Sequence, residues 1–176
     1  MNINIRGRLF DLSKPKVMGI LNLTPDSFYD GGVHNEINKI EDHVNKMVND
    51  GMDILDIGGY SSKPGAKNIS VDEELSRVIP ILKHIRKIFP ELVISIDTFR
   101  SKIASASLNE GADIINDISG GTLDKNMMSI VAKNNCPYIL MHMQGNPQNM
   151  QNDPSYENVT LEIIQYLAQR LSLIHI

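Results

Sequence analysis

Two periodicities alternate along this chain, and the alternation restricts its fold more than any single motif. Five short apolar runs, KVMGILN, MDILDIGG, ELVISIDT, ADIINDIS and PYILMHM, are each followed by a longer segment. The longer segments span residues 35–50, 71–89, 100–109, 124–134 and 156–171. The short runs are rich in β-branched residues and end in polar or glycine-containing turns, as strands covered on both faces do. The longer segments have helical spacing. Ile37, Ile40, Val44, Met47 and Val48 make one apolar stripe, and Leu75, Val78, Ile79, Leu82, Ile85 and Ile88 make another. Ser70 with Glu73 forms a capping box at the start of the second stripe.

Strands that alternate with helices pair in parallel through right-handed crossovers, because no tight turn can join two parallel neighbours. The two candidate architectures are a doubly wound sheet and a (β/α)8 barrel. No GxGxxG follows any strand, so the dinucleotide-binding fingerprint of the first is missing. Nearly every strand instead stops at a polar group: Asn22; Asp56 with Gly58 and Gly59; Asp97; Asn116 with Asp117; His142. Such groups at the carboxyl ends of parallel strands collect on one face, where barrels keep their chemistry. The expected fold is therefore α/β, a partial TIM barrel of about five βα units.

Charge and composition narrow the partners. The 176 residues carry a net charge of −4, which argues against a broad electrostatic surface for nucleic acid or anionic membrane. No apolar run approaches the ~18–20 residues a membrane helix needs, and MNINIRGRLF has no signal-peptide core; a cytoplasmic setting is the expectation. The single cysteine, Cys136, enters an apolar run and reads as a packing residue rather than a nucleophile.

The loops after the first two strands carry the most chemistry. Asn22 offers a neutral amide oxygen suited to a hard cation such as Mg2+. Asp26, Ser27, Phe28 and Asp30 follow on a polar segment that reads as a lid. In GGYSSKPGA, Ser61, Ser62 and Lys63 place two hydroxyls beside a cation, a local site for an anion in an acidic protein. Asp97 and Asn116 bring a carboxylate and an amide to one cavity, where they suit the edge of a flat, nitrogen-rich ring such as an aminopyrimidinone. Met141 is placed to pack on that ring's face.

The runs LNLTPDSFYDGG (21–32), DIGGYSSKPGA (56–66), SIDTF (95–99), NDISGG (116–121) and LMHMQGNPQNMQ (140–151) resemble dihydropteroate synthase, in that family's order and spacing. The resemblance implies an enzyme of folate biosynthesis built on a TIM-type barrel. It would condense 6-hydroxymethyl-7,8-dihydropterin diphosphate with 4-aminobenzoate, giving 7,8-dihydropteroate and diphosphate. It further implies that Asn22 contacts Mg2+, that Ser62 serves the diphosphate and aminobenzoate region, and that Asp97 and Asn116 act on the pterin. A homodimer is implied for the full-length protein. In the second loop the family's usual Ser-Thr-Arg-Pro-Gly is Ser61, Ser62, Lys63, Pro64 and Gly65 here. Lysine keeps the charge but loses the planar fork, so weaker diphosphate contact is expected.

The resemblance also implies that later motifs of the family lie beyond this chain, whose barrel would then be incomplete and little active. Residues 1–170 read as one incomplete pterin-binding domain, and 171–176, whose LSLIHI departs from the family pattern, as an artefactual tail. Two alternatives stand beside the synthase: a pterin- or folate-binding barrel of the methyltransferase type, and a noncatalytic half-barrel. The first would share Asp97 and Asn116 but would need no anion loop.

Overall fold

The computed structural model describes residues 1–23, 33–61 and 68–174. Seven strands and five helices lie among the described residues: β1 (Asn2–Ile5), β2 (Arg8–Asp11), β3 (Met18–Asn22), α1 (Val33–Asn49), β4 (Ile54–Gly58), α2 (Val71–Ile88), β5 (Val93–Asp97), α3 (Ser101–Asn109), β6 (Ile114–Asp117), α4 (Met127–Asn134), β7 (Tyr138–Leu140) and α5 (Val159–Ile174). β3 to β7 form one sheet in sequential order, parallel throughout. Sequential parallel order with a helix after every strand is what a run of barrel units produces, whereas a doubly wound sheet reverses direction from a central strand. The five βα units expected from the sequence are present.

The helix-facing side of the sheet is the larger core. Leu55, Ile57, Ile94, Ile96 and Ile115 point to it and pack against Ile40 and Val44 of α1, Val78, Leu82 and Ile85 of α2, Ile103 of α3 and Val131 of α4. On α2 the buried line is Glu74, Val78, Ile81, Leu82 and Ile85. Ile79 and Ile88 of the expected stripe are only partly buried, because the helix turns its 74/78/81/85 edge inward. Of the capping box expected at its start, the Ser70 half is formed: the Glu73 backbone N–H donates to Ser70 Oγ at 3.0 Å, while the Glu73 carboxylate pairs with Arg77. Three helix limits lie three residues from expectation, the start of α4 and both ends of α5. α4 begins at Met127, since residues 124–126 make a turn in which the Asn126 N–H donates to Asp124 Oδ1. α5 runs from Val159 through Ile174, so Leu171–Ile174 of the expected tail continue the helix.

The amino-terminal hairpin of β1 and β2 was not anticipated. Asn2, Asn4 and Arg8 alternate with Ile3, Ile5 and Leu9 around Arg6 and Gly7, which both have positive φ (51° and 78°), the geometry of a tight hairpin turn. The hairpin closes the amino-terminal end of the parallel sheet. Ile5 packs with Ile54, Val93 and Ile114, the first residues of β4, β5 and β6, with Ile3, Phe10, Met18 and Ile139 around them. An ion-pair network pins it there: Asp113, fully buried, meets Arg6 Nε at 2.8 Å and Arg86 at 2.7 Å, and accepts from the Ile94 N–H. With one end of the concave face plugged, the strands' carboxyl ends are left to carry the site. Ile20, on that face of β3, is 63% exposed.

Candidate functional site

Parallel pairing without slippage puts three of the polar strand ends in one row with a glycine. Asn22 lies opposite Gly58, Gly58 opposite Asp97, and Asp97 opposite Asn116, across β3, β4, β5 and β6. Residues of like parity share a face, so all four belong to the concave side, with Asp56, Ser95 and Ile114 one layer below. Gly58 keeps the middle of the row open. A Cβ there would stand 3.3 Å from Asn22 Oδ1 and 3.5 Å from Asp97 Oδ2, so the two side chains converge over the glycine.

The floor is acidic. Asn116 Nδ2 donates to Asp56 Oδ2 at 3.0 Å, which fixes which way the amide turns and leaves its oxygen available as an acceptor. The other Asp56 oxygen, Oδ1, is buried without a hydrogen-bond partner, and burial raises the Asp56 carboxyl above the ordinary aspartate range. Asp97 is pushed up to about 7, first by burial and then by the negative charges of Asp56, Glu74 and Asp117. A carboxyl poised near neutrality in a partly enclosed cleft is the electrostatic mark of a site that receives a polar ligand. Here the acceptors suit a planar ring that presents N–H donors along one edge.

The other expected residues fall in different places. Asn22 is exposed at the rim, Ser61 is partly buried after β4, and Met141 is partly buried just after β7. Asp26, Ser27, Phe28 and Asp30 of the expected lid, and Ser62 and Lys63 of the anion loop, lie outside the described residues. Two of the polar strand ends do not serve the cleft. Asp117 faces the helices, opposite to Asn116, and its carboxylate accepts from Ser119 N–H and Oγ, Gly121 N–H and Tyr138 OH, which organises the turn after β6. His142 packs its ring edge-on against Tyr166 of α5, 4.8 Å between centroids, with Tyr156 beside it. Cys136 is partly buried, its thiol pushed up to about 11 by burial, as expected of a packing cysteine.

A buried cluster escaped the sequence reading. Glu74 of α2, 1% exposed, accepts from Thr98 Oγ1 at 2.8 Å and from Arg100 at 2.7 Å. Arg100 also donates to the Ile69 carbonyl and lies over the rings of Tyr60 and Phe99, 5.2 and 5.3 Å from their centroids. Tyr60 in turn hydrogen-bonds Asn68 and accepts from Gln148 Nε2 at 2.8 Å. Among the described residues no group of three or more His, Cys, Asp or Glu is arranged to hold a metal ion. No described helix is long and apolar enough to cross a membrane.

Comparison with known proteins agrees with this geometry. The chain is 44% identical over 172 residues to the dihydropteroate synthase of Escherichia coli K12, covering 98% of itself and 60% of that protein. It is 46% identical over 172 residues to a mitochondrial folate synthesis bifunctional protein of Arabidopsis thaliana, covering 95% of itself and 31% of the relative. The crystal structure of Yersinia pestis dihydropteroate synthase with a sulfonamide drug superimposes with a TM-score of 0.87 at 38% identity, over 99% of this chain and 62% of that one. The chain thus spans about three fifths of the length of the bacterial synthases it matches. The family model described as pterin binding enzyme matches residues 18–175, from the start of β3 through α5, and the chain belongs to that family.

Proposed function

We propose that this chain supplies the pterin-binding part of a dihydropteroate synthase. The reaction would join 6-hydroxymethyl-7,8-dihydropterin diphosphate to 4-aminobenzoate, giving 7,8-dihydropteroate and diphosphate. The observation that carries the reading is the row Asn22, Gly58, Asp97, Asn116 on four adjacent strands, floored by Asp56.

In this reading the Asp97 carboxylate accepts from ring N–H donors of the pterin while the Asn116 carbonyl oxygen accepts from a second donor on the same edge. The carbon–oxygen bond to diphosphate breaks, its electron pair leaving with the diphosphate. Positive charge then develops on the pterin side, and the Asp97 carboxylate lowers its energy. The amine nitrogen of 4-aminobenzoate forms the new carbon–nitrogen bond and gives up a proton to the departing diphosphate or to solvent. Asp97 and Asn116 are the catalytic residues in this scheme, with Met141 against the ring. Ser61, Ser62 and Lys63 receive the anionic leaving group, and the segment bearing Asp26, Ser27, Phe28 and Asp30 excludes water.

Asn22 fits a Mg2+ that arrives with the diphosphate. Its neutral amide oxygen is exposed at the rim of the row, and Mg2+ keeps most of its waters and takes few protein oxygens. When bound, the ion would supply neutralisation of charge on the leaving group. A cytoplasmic setting and a homodimer are part of this reading.

The test has two parts: binding of 6-hydroxymethylpterin to this chain, and dihydropteroate formation by this chain joined to the remaining length of the E. coli relative. Pterin binding together with product formation, both abolished by Asp97→Ala, is the expected result. A folded joined protein that binds pterin and makes no dihydropteroate would favour the methyltransferase-type barrel. Absence of binding in both would leave the noncatalytic reading.

A further inference from the structure

Glu74, 1% exposed, is a buried carboxylate that the reaction above does not use. It sits on α2, on the helix side of the sheet, yet both its oxygens reach the carboxyl ends of strands. One accepts from Thr98 Oγ1 at 2.8 Å and the other from Arg100 at 2.7 Å. Thr98 directly follows Asp97, and its N–H donates to the Asn116 carbonyl at 3.0 Å. The Arg100 N–H donates back to Thr98 Oγ1 at 3.2 Å. The backbone that leaves Asp97 is therefore held on one side by Asn116 and on the other by Glu74. Through Arg100 the same carboxylate reaches the end of β4. The guanidinium lies over the ring of Tyr60, two residues beyond Gly58, and is wedged against Phe99, whose ring meets Tyr60 edge-on at 5.0 Å.

We propose that Glu74 is a positioning residue for the pterin subsite: by holding Thr98 and Arg100 it fixes the end of β5 against those of β4 and β6, and so aims the Asp97 carboxylate. The role rests on the reading of Asp97 and Asn116 given above. An unpaired buried carboxylate is costly, and a core position on α2 would otherwise take a leucine or isoleucine. Burying an acid there is accounted for by the two strand-end groups it gathers. Its contacts lie with residues adjoining the site row and none with a ligand-facing atom, which separates positioning from direct binding.

Glu74→Met keeps the length of the side chain and removes both acceptors. Thr98→Val removes only the hydroxyl and keeps the shape, and Thr98→Ser keeps the hydroxyl. The readouts are the Kd for 6-hydroxymethylpterin and amide hydrogen exchange at Thr98, Arg100, Ile94 and Ile115. The expected result is a Kd weakened by about tenfold or more in Glu74→Met and Thr98→Val, with Thr98→Ser close to wild type. Exchange at Thr98 and Arg100 should quicken by about tenfold or more while Ile94 and Ile115 stay protected. Should Glu74→Met fail to fold, the Thr98 pair decides alone. Unchanged pterin affinity, or exchange that quickens equally at all four amides, would overturn the assignment. Failure of the wild-type chain to bind the pterin would instead overturn the reading of Asp97 and Asn116, and the assignment with it.

Discussion

Asp97→Asn is the perturbation whose size follows most directly from the site. The carboxyl is raised from 3.8 to about 7 by burial, with Asp56, Glu74 and Asp117 adding negative charge around it. The native state therefore holds this proton more tightly than the unfolded chain does. Between pH ~4 and ~7 the folded protein carries the extra proton, so stability falls as pH rises through that window, and the full cost of the charge is present above it. A shift of about three units corresponds to up to about 4 kcal/mol. Asparagine keeps the shape and never ionises. Relative to wild type, the variant should gain little at pH 4 and up to about 4 kcal/mol by pH 8. Urea unfolding at a series of pH values reads this directly, as a wild-type midpoint that drops behind the variant's by about 1 M or more by pH 8. The two proteins must share the same slope for the comparison to hold. Midpoints that run parallel from pH 4 to pH 8 would refute the argument that Asp97 is held near neutrality by its surroundings.

Three further outcomes follow. If the carboxylate form of Asp97 receives the pterin, affinity should fall below pH 7, approaching tenfold per unit, and a Kd that stays flat between pH 5 and 8 would contradict that role. Gly58 and Gly59 should separate stability from binding. A Gly59→Ala methyl meets Val78 Cγ2 at 2.7 Å and should cost about 1–3 kcal/mol in a thermal melt, whereas Gly58→Ala, with its nearest atoms at 3.3 and 3.5 Å, should melt near wild type and lose pterin affinity. Arg86→Met leaves Asp113 buried with Arg6 as its remaining cation and should cost about 3 kcal/mol in urea unfolding, and a change below about 1 kcal/mol would show that Arg6 suffices.

The parallel sheet was legible because each strand is short, apolar and followed by a helical stripe, and nothing in the local chemistry conflicts with that pattern. The row of Asn22, Asp97 and Asn116 was legible because polar groups at the ends of buried strands have few other reasons to recur. The hairpin was missed although N-I-N-I-R-G-R-L alternates apolar and polar residues around a glycine turn, a pattern that reads as a hairpin when it is looked for. Its polar positions and its place before the first parallel strand concealed a structural role as a plug. Glu74 was missed for a different reason. Within VDEELSRV it looks like one more acid in the first turn of a helix, where acids are common, and only the closing of α2 onto β5 shows that it faces inward.

The pair Asn116–Asp117 shows where a strand's polar end divides between site and scaffold. Both residues end β6 and both are polar, so composition treats them alike. A strand turns successive side chains to opposite faces, so only one of the two can enter the cleft. The parallel register with Asp97 assigns that place to Asn116 and sends Asp117 toward the helices, where Ser119 and Gly121 of the following turn and Tyr138 satisfy it. Asp117 still reaches the site through its field, since its charge helps to raise Asp97 from the far side of the sheet. Glu74 combines both effects, adding charge near Asp97 and holding the backbone beside it. The acidity of Asp97 is therefore set first by burial and then by the carboxylates around it, while its direction is set by the hydrogen bonds of the residues that follow it.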